Sequence, residues 1–158
     1  MRLRKALPVP DTPATNSLPV PVQLFVHCAT SVNYLADLSA CIPGVERYAE
    51  RALLLADPDD VVCVTHEVDP AYLEYLAELG LGPAPENVVV AAPMEGADTW
   101  PSTLWHKLLT SEEALEALSC RIRRHGSGTI HPFIASQGQF QLAATLERRT
   151  GLRVRVAG

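Results

Sequence analysis

Short apolar runs alternate along this chain with longer stretches in which apolar residues recur at helical spacing. Val22–Val26 (VQLFV), residues 61–65 (VVCVT), 87–92 (NVVVAA) and 129–135 (TIHPFIA) form largely apolar blocks, and 152–156 (LRVRV) alternates strictly. Blocks of this length and β-branched content predict strands, and the nearly continuous ones suit a parallel sheet buried on both faces. Pro132 lies inside the fourth block, so that strand must end or bulge there. LRVRV predicts an edge strand with its arginines outward.

The intervening segments read as helices. Val45, Tyr48, Ala49, Ala52 and Leu53 share one face of a helix predicted over 45–55, leaving Glu46, Arg47, Glu50 and Arg51 to solvent. Asp69 followed by Pro70 signals a capped helix start, with Tyr72, Leu73, Leu76 and Leu79 apolar and Gly80 at the stop. Leu104, Trp105, Leu108 and Leu109 mark a short helix. Thr110 and Glu113 have capping-box spacing before the stripe of Leu115, Leu118 and Ile122. Ser136 and Gln139 form a second such box, opening a helix through Phe140, Ala143, Ala144 and Leu146 to Gly151.

Strands alternating with helices imply right-handed crossovers. The expectation is an α/β, Rossmann-like three-layer domain with a five-stranded, mainly parallel sheet in the order 3-2-1-4-5. In such sheets ligands bind beyond the carboxyl ends of the strands, where the order reverses. Here that point lies between the first and fourth strands, and the crevice would be lined by residues 27–33 and 131–137. Residues 1–20 carry scattered prolines among Thr, Ser and Asn and predict a flexible arm, leaving 21–158 as one domain.

Composition narrows this picture modestly. With 158 residues, 47% hydrophobic and 20% charged, the chain has the make-up of a soluble globular domain. A net charge of -5 argues against a nucleic-acid partner. Arg121, Arg123 and Arg124 cluster where a helix end is expected, and cations there offset the helix dipole. Cys28, Cys41, Cys63 and Cys120 lack disulfide or zinc spacing, which fits a reducing cytoplasm. No apolar stretch is long enough for a membrane span, and the basic start lacks a signal-type apolar core.

No complete catalytic motif is present. No G-x-G-x-x-G follows the first strand, and the glycines at Gly126 and Gly128 precede a strand rather than opening a helix. Walker and nucleophile-elbow patterns are likewise missing. The helix start at Ser136, with the amides of Gln137 and Gly138, could hold an anion, although Ser136 and Gln139 could equally cap their own helix. His27, Cys28, Cys63, His66 and His131 fall near strand ends, but their spacing matches no metal-ligand pattern and Cys63 belongs to a core strand. His66 and Glu67 are adjacent and read best as solvated loop residues.

Several stretches taken in order (SVNYLADL, DPDDVVCV, VDPAYLEYLAELGL, NVVVAAP and HPFIASQGQFQLAATLERRTGLRV) resemble the pre-ATP-grasp domain, the N-terminal Rossmann-like domain of ATP-grasp peptide ligases. The relatives in question build amino-acid-derived natural products, and the resemblance covers residues from about 22 to 156. It implies a carboxylate–amine ligase working through an acyl-phosphate with ATP and magnesium. The ATP-grasp modules that bind these cofactors have no counterpart in this chain, whose two lysines are Lys5 and Lys107. Three expectations follow: no activity in isolation, no cofactor of its own, and a role as substrate-cleft wall or dimer contact. The partners would be a catalytic ATP-grasp chain or a second copy, with an amino acid or peptide as ligand. By the same resemblance Ser31, Asn33, Ser136 and Gln137 are the expected substrate-binding residues. The alternative is a stand-alone Rossmann-like module for a nucleotide or small acidic metabolite, and a third reading makes His27, His66 and His131 a hydrolytic or metal site.

Overall fold

The computed structural model describes residues 20–28, 44–91 and 103–158. The arm expected over the first residues, Cys41, and the expected site residues Ser31 and Asn33 lie outside the described residues.

Five strands form one sheet: β1 (Val22–Val26), β2 (Val61–Val64), β3 (Val88–Val90), β4 (Gly128–Pro132) and β5 (Val154–Val156). The order is β3-β2-β1-β4-β5 and every pairing is parallel. The expected order is therefore found, with no antiparallel strand among the described residues. β2 is buried at all four positions, as a strand covered on both faces requires. In β1, Val22, Leu24 and Val26 are buried whereas Gln23 and Phe25 are half-buried, so its two faces differ in chemistry.

The chain visits β1, β2 and β3 in one direction and then returns to the far side of β1 for β4 and β5. With right-handed crossovers this sends the connecting helices to opposite faces. On one face a 3-10 helix, η1 (Val45–Leu54), packs on β1 and β2, and α1 (Pro70–Glu78) connects β2 to β3. On the other lie α2 (Leu104–Thr110), α3 (Glu112–His125) and α4 (Gln137–Thr150), which pack on one another and on the sheet. Leu24, Leu104, Leu108, Leu118, Ile122, Ile130, Leu142 and Leu146 are all buried in the core. Fully burying each such side chain contributes about 1.5–3 kcal/mol.

Local chemistry departs from expectation at several places. The helix over 45–55 is a ten-residue 3-10 helix and not an α-helix. Side chains three apart stack in that geometry, and the small Ala49 and Ala52 do so against the sheet. The cap of α3 is Ser111, whose hydroxyl accepts the Ala114 amide at 3.2 Å. Thr110 instead donates back to the His106 carbonyl at 3.0 Å within α2. Asn87 does not open β3 but closes a 3-10 turn, Pro85–Asn87. Its buried side chain donates to the Pro58 carbonyl at 2.7 Å. β4 stops at Pro132, where the ladder can no longer be continued. Leu79 and Phe140, read as apolar-stripe residues, are exposed.

One contact fixes how α2 meets α4. The Trp105 ring packs against Gly138, so that a Cβ added there would clash with its Cδ2, Cε2 and Cε3. Gly138→Ala is expected to destabilise the fold by about 1–3 kcal/mol through overpacking, despite alanine's better helix propensity. In a Trp105→Ala background the same change should be neutral or mildly stabilising. Urea denaturation of the four proteins in the cycle measures this, and an equal loss in both backgrounds would contradict the contact.

Candidate functional site

β1 and β4 pair in register from Val22↔Gly128 to Val26↔Pro132, so the two strands end level. The residues that follow, His27 and Phe133, therefore stand side by side at the point where strand order reverses. Two groups of side chains gather at this edge.

The first belongs to the η1 face. Phe25 lies opposite His131 in the register and their rings stack with centroids 5.1 Å apart. His131 Nε2 lies 2.8 Å from Gln23 Oε1. The Gln23 amide nitrogen donates to the Pro21 carbonyl, which fixes the amide's orientation and makes His131 Nε2 the donor. His27 meets Phe25 edge-on at 5.8 Å and Phe133 at 6.2 Å. From η1, Tyr48 packs on the Phe133 ring at 5.1 Å. The Arg51 guanidinium lies over both rings, 4.7 Å from the Tyr48 centroid and 4.8 Å from that of Phe133. Its Nη1 also donates to the Tyr48 hydroxyl.

His27 is only 6% exposed, and its Nδ1 has no hydrogen-bond partner. Burial, then the positive charge of Arg51, then His131 hold its pKa below the ordinary histidine value. Below pH 6.5 an unfolded chain protonates this imidazole while the folded protein resists it. The contribution to stability is thus constant above that pH and is lost as pH falls from there toward the lower folded value. Urea unfolding at several pH values should show His27→Phe with a flatter decline than the parent below pH 6.5. Parallel curves would contradict the assignment.

The second group is the start of α4. Gln139 Oε1 accepts the Ser136 amide at 3.0 Å and also meets the Ser136 hydroxyl. This is the capping box the sequence predicts, with the Gln139 half the firmer because the Ser136 hydroxyl turns toward the amide oxygen. Because the Ser136 N–H holds Oε1, the amide cannot be reversed, and its Nε2 is fixed at the helix start. Gln139 is fully buried and that Nε2 has no partner. An unused buried donor costs about 1–3 kcal/mol, so its placement beside the helix N-terminus favours an acceptor ligand. Ser136→Ala should lower stability by about 1 kcal/mol, read as a shift in thermal midpoint. An unchanged midpoint would mean that Gln139 alone closes the helix end.

Of the residues expected to bind substrate, the structure brings Ser136 and Gln137 to the switch point, Ser136 half-buried and Gln137 exposed. The metal reading finds no group of three or more His, Cys, Asp or Glu side chains among the described residues. Cys63 is fully buried in the core, which pushes its thiol up to about 12, and His66 is an exposed residue whose Nδ1 lies 2.9 Å from Thr65 Oγ1. Arg51 and Tyr48 were not singled out by sequence reasoning, which left Arg51 to solvent. Their i, i+3 spacing was the available signal, since it puts a cation and an aromatic ring on one helix face. Gln139 was read only as a cap.

An all-parallel sheet in the order β3-β2-β1-β4-β5, with helices on both faces, defines a Rossmann-like α/β domain whose switch point lies between β1 and β4. Residues 49–148 match the model of the pre ATP-grasp domain, and the chain belongs to this family of domains, which occur in ATP-grasp ligases. No curated protein and no solved structure matches it. Among the described residues no helix is long and apolar enough to cross a membrane.

Proposed function

We propose that this domain forms one wall of the substrate cleft of an ATP-dependent carboxylate–amine ligase of the peptide-forming kind, in the biosynthesis of amino-acid-derived natural products. The observation that carries this reading is the buried, unpartnered Gln139 amide at the start of α4, at the switch point of a pre-ATP-grasp domain. Gln139 Nε2 and the first-turn amide of Gln137 are donors suited to a substrate carboxylate or peptide carbonyl. Ser136 positions Gln139 by fixing its oxygen. Ser31 and Asn33, on the segment that follows β1, complete the proposed wall.

The domain binds and orients, while phosphoryl transfer from ATP to the substrate carboxylate belongs to ATP-grasp modules outside these residues. Those modules, on a catalytic partner, supply the nucleotide and magnesium sites, and a second copy of this chain is the alternative partner, as a dimer contact. The cytoplasm is the proposed compartment, in keeping with Cys63 and Cys120 as free thiols.

Thermal unfolding of the 158-residue chain with L-amino acids or short peptides, each with and without ATP and magnesium, tests this reading. A ligand that binds only the native state stabilises it by about 2.7 kcal/mol at 100 times its Kd. The expected result is a higher midpoint with amino acids or peptides, no shift with ATP alone, and no ADP formed. A shift with ATP alone would favour a nucleotide-binding module, and no shift with any ligand would overturn the substrate-wall role.

A further inference from the structure

Arg51 differs from the other arginines in what surrounds it. Arg47 pairs with Glu50 at 2.7 Å, Arg123 with Glu116 at 2.9 Å, and Arg149 with Glu112 and Glu116. Arg121 donates to the Glu86 carbonyl and Arg148 to the Thr145 hydroxyl. Arg51 has no carboxylate partner among the described residues, yet its guanidinium is held in place by two rings and the Tyr48 hydroxyl. The other basic groups beside it are His27, whose imidazole feels both Arg51 and His131, and His131 itself, whose charge reaches the Asp60 carboxyl. In a protein of net charge -5, three basic side chains thus meet at the switch point without an ion pair among the described residues.

We propose that Arg51, seated over the Tyr48 and Phe133 rings beside His27, is a binding site for a small organic carboxylate. The inference goes beyond the substrate-wall role, because these residues come from η1 and the ends of β1 and β4, not from the start of α4, and because it does not require a ligase. The two ring centroids are 5.1 Å apart, so both rings lie to one side of the guanidinium, and the N–H groups not used by the Tyr48 hydroxyl are left for a planar anion, which a carboxylate can engage with both oxygens. One permanent cation matches the single charge of a carboxylate better than a phosphate dianion. Phe133 is 39% exposed and Arg51 is exposed, so ligand can reach both. The Phe133 ring offers an apolar surface to the organic body of the acid.

His27 provides the readout. Its imidazole feels the charge of Arg51, and a carboxylate on Arg51 offsets that charge, so the ring signals of His27 should move on binding and its protonated form should gain. Benzoate, benzamide and inorganic phosphate would be titrated into the full chain while the histidine ring protons are followed by NMR, with Arg51→Gln and Arg51→Lys as variants. The expected result is a saturable shift of His27 with benzoate, none with benzamide, and a weaker response to phosphate. Arg51→Gln should weaken benzoate binding at least tenfold, and Arg51→Lys should weaken it less. Equal responses to benzoate and benzamide in the parent protein would overturn the proposal without any variant. So would phosphate binding as tightly as benzoate, or a folded Arg51→Gln chain that still binds benzoate as the parent does.

Discussion

The pairing of β1 on both of its edges is the constraint on which the rest of the molecule depends. β2 hydrogen-bonds one edge and β4 the other, both parallel, so neither connection can be a tight turn and each must cross a face of the sheet. That requirement creates the two helical layers, and the layers in turn demand apolar residues on both faces of the central strands. It also divides the loops. β1 is followed in the chain by η1 on one face and β4 by α4 on the other, so strand order reverses between His27 and Phe133.

Two of the buried polar atoms without partners lie at this switch point; the others among the described residues are Thr103 Oγ1 before α2, Ser119 Oγ within α3 and Arg149 Nε in the last turn of α4. Gln139 Nε2 and His27 Nδ1 are both buried and unpartnered, one on each helical face of the β1–β4 seam. Elsewhere Asn87 ties the β2 and β3 approaches through Pro58, and Glu147 accepts the Val154 amide at 3.0 Å, docking the edge strand to α4.

The fold was legible because its signals were redundant. Apolar runs at Val22–Val26 and Val61–Val64, the Asp69–Pro70 helix start and the Ser136–Gln139 box each agreed with one topology. Boundaries were less legible where two neighbours offer the same chemistry. Thr110 and Ser111 can both cap, and only the turn of α2, which draws the Thr110 hydroxyl back to His106, decides for Ser111. The 3-10 form of η1 was hidden for a similar reason, since residues 49, 52 and 53 satisfy either helical period. At the site, Ser136 could be read from capping spacing alone. The partnerless Gln139 nitrogen, the Phe25–His131 stack and the seating of Arg51 on Phe133 could not, because each depends on register between strands far apart in the chain.

The central claim is that ligand meets this domain at the carboxyl ends of β1 and β4. Residue-resolved amide hydrogen exchange of the full chain, with and without a saturating short peptide such as L-alanyl-L-alanine, tests it most directly. The account predicts added protection in the first turn of α4, from Gln137 onward, and at the residues following β1 and β4, with α1 and the last turn of α3 unchanged. Protection confined to α1 or to the amino ends of the strands would contradict it.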